Sequence, residues 1–177
     1  MSLLTIIKAP DPRLKLKAEK VGEVTADIRR LLDDMLETMY AAPGVGLAAP
    51  QVGVLKRVIV VDTAKREDGR RPLKLVNPEV LWRSAECGLY EEGCLSFPDQ
   101  YAEVERPLRV RVGFLDETGA RREINAEGLL ATCLQHEIDH LSGVVFVDHV
   151  SPLKRNIILR RLRKAKRLEA PEERAAL

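Results

Sequence analysis

The run Gln135-His136-Glu137-Ile138-Asp139-His140 constrains this chain more than any other stretch, because it puts two histidines and a carboxylate on one turn of a helix. Residues four apart lie on one helical face, so His136 and His140 can point at the same ion. Glu137 sits about 100° round from His136, within reach of a water at that site without being a ligand itself. Two imidazoles and a base on one turn recur in metal-assisted hydrolysis. The flanking residues require the helix to be buried. Leu129, Cys133, His136 and His140 form one stripe, Leu130, Leu134, Ile138 and Leu141 a second, and Gly143 supplies a stop. A helix apolar on most of its circumference packs inside. Imidazoles buried there need partners, and a metal ion satisfies both at once.

The third ligand is not local. A histidine six residues after His140 would suit one class of zinc protease, but that position is Phe146, and the next glutamate after Glu137 is Glu169 in a basic tail. His149 is one candidate. The other lies upstream in Glu92-Gly93-Cys94-Leu95-Ser96-Phe97-Pro98, where a cysteine beside glycine and a turn is a candidate thiolate. A His2Cys set leaves one tetrahedral position open, as catalysis requires. Cys87 and Cys133 read as small buried hydrophobes, with Cys133 lining the site one turn before His136. A third segment, Gly44-Val45-Gly46-Leu47-Ala48-Ala49-Pro50-Gln51-Val52-Gly53, lacks the Lys-Ser/Thr pair of a phosphate loop. Its small residues allow a substrate backbone to approach closely, and Gln51 offers an amide donor for a developing oxyanion.

Together Gly-Val-Gly-Leu-Ala-Ala-Pro-Gln, Glu-Gly-Cys-Leu-Ser and Gln-His-Glu-Ile-Asp-His resemble, in order and separation, the three signature motifs of peptide deformylase. The resemblance covers essentially the whole chain. It implies an enzyme that removes the formyl group from the N-terminal formylmethionine of nascent chains and releases formate. It assigns Cys94, His136 and His140 to the metal, with Fe(II) favoured and Zn(II) the alternative. Glu137 becomes the general acid/base, and Gln51 with the backbone N–H of Leu95 the oxyanion donors. A peptide added as a strand would pair with the segment around Gly44–Gly46. The methionine pocket would use Val45, Tyr90, Leu129, Thr132, Cys133 and the side of His136. Many relatives carry an arginine seven residues after the ligand cysteine; here it is Tyr101. Arg106 is placed to pair with Glu92 or Asp139 and hold two motifs together. The rival readings are an HExxH metallopeptidase acting on internal bonds, and a non-catalytic ribosome-associated module with a structural metal.

Composition agrees. A chain of 177 residues with net charge +2 fits one domain, 1–177, with no global signal for DNA. The N-terminal apolar run is too short for a signal peptide or a spanning helix, and three unevenly spaced cysteines do not make a disulfide scaffold. A reduced, cytoplasmic protein without membrane association is expected. The fold class is α+β, with antiparallel or mixed sheets around a central helix carrying HExxH. An N-terminal helix capped by Thr25 presents Ile28, Leu31, Leu32, Met35, Leu36 and Met39 at helical spacing. Strands are expected at Arg57–Asp62, Leu73–Pro78, Glu79–Cys87, Arg109–Leu115, Ala120–Asn125 and Val144–Val147. A basic helix follows over about 152–168, with a tail at 169–177. Its Lys154, Arg155, Arg160, Arg161, Arg163, Lys164, Lys166 and Arg167 suit phosphate contacts, and in this family such a helix sits near the ribosomal exit tunnel.

Overall fold

The computed structural model describes residues 2–175. Helix α1 spans Ala26–Ala41, and the Thr25 side chain accepts from the Ile28 N–H at its start. A five-stranded antiparallel sheet follows, in the order β1 (Gly46–Ala48), β2 (Val58–Val61), β3 (Leu73–Arg83), β6 (Arg109–Leu115), β7 (Arg121–Glu127). Strands β4 (Cys87–Cys94) and β5 (Phe97–Pro107) form a separate hairpin. Helix α2 is Gly128–His140, and α3 is Pro152–Ala175.

Strand β2 explains the layering. All four residues are fully buried, and alternate side chains face opposite ways. Val58 and Val60 pack with Leu32, Met35 and Met39 of α1, while Ile59 and Val61 pack with Ala131, Leu134 and Leu141 on and just after α2. A sheet covered on both faces reads as a continuous apolar run for this reason. The third cluster joins the hairpin, through Phe97, Ala102 and Val104, to Phe146 and to Ile158 and Leu162 of α3. The site-bearing helix is thus held between the sheet and the hairpin. No helix among the described residues is long and apolar enough to cross a membrane.

Five expectations need correction. Cys87, expected among the small buried hydrophobes, is exposed. The runs 73–78 and 79–87 are one strand, β3, ending at Arg83, and Cys87 opens β4. The strand absorbs Pro78 by a bulge: Asn77 takes φ 49°, and its side chain bonds both Val21 N–H and Val21 C=O at 2.8 Å. Strand β5 was hidden because its inward set, Ala102, Val104 and Arg106, contains a charge. The 144–147 run is not a strand. The Asp148 carboxylate accepts from the Val145 N–H at 3.0 Å and winds Phe146–His149 into a 3-10 turn. Finally, α3 runs on through most of the expected tail at 169–177, whose last two residues lie outside those described.

Candidate metal centre and catalytic cleft

Helix α2 turns one face toward the β4–β5 hairpin, and the two-residue turn Leu95-Ser96 ends that hairpin at the helix. Cys94, His136 and His140 each offer a ligand atom, and these atoms lie within 4.8 Å of one another. Cys94 Sγ is 3.4 Å from His140 Nε2. His136 spends its Nδ1 on Glu92 Oε2 at 2.9 Å, which leaves Nε2 as its free nitrogen. His149 is engaged elsewhere, with Nε2 2.8 Å from Asp139 Oδ2. Residue types alone left His149 and Cys94 as candidates for the third donor and the family resemblance favoured Cys94; the fold brings Cys94 to the histidines.

The site's outer contacts are ionic. Arg106, 4% exposed, donates Nη2 to Glu92 at 3.0 Å and Nη1 to Asp139 at 2.9 Å. It therefore makes both pairings that its sequence position allowed, tying β5 to β4 and α2. Burial pushes the Glu92 carboxyl up, but its bonds to His136 and Arg106 outweigh that and hold it below its ordinary value. A carboxylate on Nδ1 fixes the ring orientation and raises the basicity of Nε2. Phe146 stacks on His136 with centroids 6.1 Å apart, which restrains the ring from its other side.

Two buried polar atoms at the centre have no partner among the described residues, Glu137 Oε2 and His140 Nδ1. Orphaned polar atoms in a core call for an explanation. A thiol and two imidazoles converging beside an unpaired carboxylate fit a divalent cation with one position left for a small reactant. Burial raises the Glu137 carboxyl to about 7. Burial also drives His140 below its ordinary value.

Gln51 is 1% exposed and locked from two sides. Its Oε1 accepts from the Ala48 N–H at 2.8 Å, and its Nε2 donates to Ser96 Oγ at 3.0 Å and toward Cys94 Sγ at 3.4 Å. The amide thus points at the thiol, and the long contact to sulfur is the one a better acceptor would take over. Ser96, completely buried, is a positioning residue that the sequence reading passed over; its place in the Glu-Gly-Cys-Leu-Ser motif was the signal. Leu95 packs its side chain on Gly44, where a Cβ would fall 2.6 Å from Leu95 Cδ1.

A cleft of about 680 Å³ opens onto these groups, with Val45, Gly46, His136 and Glu137 in its lining. Gly46 is the tightest point. A Cβ there would lie 2.4 Å from Glu137 Oε1 and 2.8 Å from Cys133 Sγ. Gly46→Ala is therefore expected to displace the carboxylate and lower kcat/KM roughly 100-fold, read in steady-state kinetics. Cys133 lies behind this strand, its thiol donating to the Val45 carbonyl at 3.5 Å. Tyr90, Leu129 and Thr132 do not line the cleft itself; Thr132 and Leu129 precede His136 by one and two turns of α2, and Leu129 is 52% exposed.

Comparison with known proteins identifies the family. A family model described as polypeptide deformylase matches residues 3–156. The chain is 58% identical over 179 residues to a peptide deformylase of Methylocella silvestris, covering 99% of this chain and 91% of that one. It is 54% identical over 165 residues to one of Rhizobium meliloti, covering 93% and 95%. Among solved structures, a peptide deformylase from Ehrlichia chaffeensis in complex with actinonin superposes with a TM-score of 0.90 at 44% identity, covering 94% of this chain and 99% of that one. One from Legionella pneumophila gives 0.88 at 46% identity, covering 95% and 98%. With a family match across most of its length and relatives above half identity, the chain belongs to the polypeptide deformylase family.

Proposed function

We propose that Cys94, His136 and His140 hold one divalent cation and that Glu137 moves the proton in deformylation. The overall activity is that of the family: the enzyme removes the formyl group from the N-terminal formylmethionine of new polypeptides and releases formate. The observation that carries the residue assignment is the convergence of one thiol and two imidazoles beside the unpaired Glu137 Oε2. A cation there supplies a Lewis acid and a water of lowered pKa. Glu137 accepts the proton of the attacking water and returns it to the leaving amine, and a carboxyl near 7 can do both at neutral pH. The Gln51 amide and the Leu95 N–H donate to the oxygen as it gains charge. Gly46 lets the Glu137 carboxylate lie directly against the β1 backbone, while Val45 and Cys133 carry the methionine side chain. Tyr90, Leu129 and Thr132, which lie outside the cleft lining, belong to that pocket by resemblance to the family alone.

The test is formate release from formyl-Met-Ala-Ser by anaerobically purified, Fe(II)-loaded protein; no release from metal-replete protein would sink the reading. Gln51→Leu is expected to cost about 100-fold in kcat while the bound metal, measured by elemental analysis, stays stoichiometric. Thiolate and imidazole donors suit Fe(II) or Zn(II), and Fe(II) is the assignment made here. Air should then inactivate the Fe(II) form and spare a Zn(II) form, because iron beside a thiolate promotes its oxidation.

The exposed cations of α3, with Ile158 and Leu162 buried on its other side, support docking on ribosomal RNA near the exit tunnel, in the cytoplasm. Co-sedimentation with ribosomes should fall steeply with salt, and reversing Arg160, Arg161 and Lys164 to Glu should abolish it without changing tripeptide turnover. The rival readings have less support. His149 is paired with Asp139, so it supplies no fourth ligand, and only three candidate ligands converge among the described residues.

A further inference from the structure

The chain's third histidine supplies no ligand, yet it ends a path of bonds that begins at one. His149 Nε2 lies 2.8 Å from Asp139 Oδ2. Facing a carboxylate oxygen, that nitrogen carries the proton and donates it. The same Oδ2 accepts from Arg106 Nη1 at 2.9 Å, and Arg106 Nη2 donates to Glu92 Oε2 at 3.0 Å. Glu92 Oε2 in turn meets His136 Nδ1 at 2.9 Å. Burial is graded along this path. The side chains of His149 and Asp139 are 35% and 28% exposed, those of Arg106 and Glu92 only 5% and 4%.

Three observations give the path its weight. His140 Nδ1 has no partner among the described residues, so of the two imidazoles only His136 is braced through its other nitrogen. Arg106 is shared between two carboxylates, and its rigid fork cannot close on Asp139 without loosening Glu92. A second donor on Asp139 relieves that competition. The turn Phe146–His149 is also fixed in place, by Phe146 stacked on His136 and by the Asp148 carboxylate on the Val145 N–H. His149 is therefore offered to Asp139 from a set backbone.

We propose that His149 is a positioning residue for the metal centre. It holds Asp139 so that Arg106 keeps Glu92, and Glu92 keeps His136, oriented toward the cation. The inference rests on the assignment of Cys94, His136 and His140 as donors made above. Losing the direct outer partner of a ligand imidazole costs about 10- to 100-fold in metal affinity. His149 stands three bonds beyond Glu92, so its share is smaller. A half-exposed pair of this kind adds little to folding stability, which separates the two roles experimentally.

The experiment titrates Co(II) into wild type, His149→Ala and His149→Gln against a competing chelator and records the visible spectrum of each Co(II) form. His149→Ala is expected to lower Co(II) affinity about three- to tenfold and to shift the d–d bands, which follow ligand geometry. Its apoprotein should melt within a few degrees of wild type. His149→Gln, whose amide also donates to a carboxylate, should restore most of the affinity and the wild-type spectrum. In a Glu92→Gln background the link to His136 is already altered, so the further loss from His149→Ala should shrink below about twofold. A His149→Ala protein with wild-type affinity and spectrum would overturn the inference alone. So would an equal loss of affinity in both backgrounds, which would make His149 a general support of the fold. Wild-type protein that binds no Co(II), or binds it without a thiolate charge-transfer band, would overturn the donor assignment and the inference with it.

Discussion

Replacing Glu137 by Ala lowers kcat/KM for formyl-Met-Ala-Ser by roughly 10³- to 10⁴-fold, the range expected when a general acid/base acts in both halves of a reaction. The expectation follows from where the carboxylate sits. It is 4% exposed, its Oε2 has no partner among the described residues, and Gly46 leaves its Oε1 only enough room for a backbone without a side chain. A buried carboxylate in that state is poorly solvated, which is why its pKa rises to about 7. The same burial predicts a second result. A Glu137→Gln variant keeps the shape and removes the charge, so it should unfold at a higher temperature than wild type while being almost inactive. Metal content should not change in either variant, because Glu137 is not one of the converging donors. A metal-replete Glu137→Ala protein within about tenfold of wild-type activity would remove Glu137 from the reaction.

The second large effect is at Arg106. Truncation to Leu strands two carboxylates, Glu92 and Asp139, that its guanidinium bridges from a 4% exposed position. Breaking one partner out of a buried ionic cluster costs about 3–5 kcal/mol, because the remaining charges are left uncompensated. In a chain of this size that lowers Tm by roughly 10 °C or more, readable by calorimetry. The loss should also reach the metal. Glu92 holds His136 Nδ1, and a loosened Glu92 is expected to weaken metal affinity about 10- to 100-fold. Arg106→Lys should rescue little, since an ammonium cannot fork to Glu92 while also reaching Asp139. Stability within about 1 kcal/mol of wild type, with unchanged metal affinity, would show the cluster to be ordinary surface pairing.

Both effects depend on contacts that differ in how visible they are from the chain alone. Glu137 and the two histidines were legible because the helix that carries them is a local object. Its period is written in Leu130, Cys133, Leu134 and Leu141, and three or four residues of spacing decide which side chains share a face. Helix α1 was legible for the same reason, from the Thr25 cap to Met39. The link from Arg106 to Glu92 and Asp139 spans fourteen and thirty-three residues, and only its charge complementarity could be read in advance.

Other features had no local signature. Strand β5 carries Arg106 among its inward residues, so its alternation looks broken until Glu92 and Asp139 are seen to neutralise the charge. Pro78 argued for two strands, yet Asn77 is held at positive φ by Val21 and keeps β3 continuous. The 3-10 turn at Phe146–His149 depends on the Asp148 carboxylate reaching back to Val145 N–H. What the amino-acid sequence determined by itself was the set of helices, the donor types and the family, because periodicity and short motifs act over a few residues. What only the tertiary structure decided was how Ser96 locks Gln51 and how Arg106 braces His136 through Glu92. Those choices are made by chain segments that approach only after the hairpin packs on α2, and no local spacing encodes that approach.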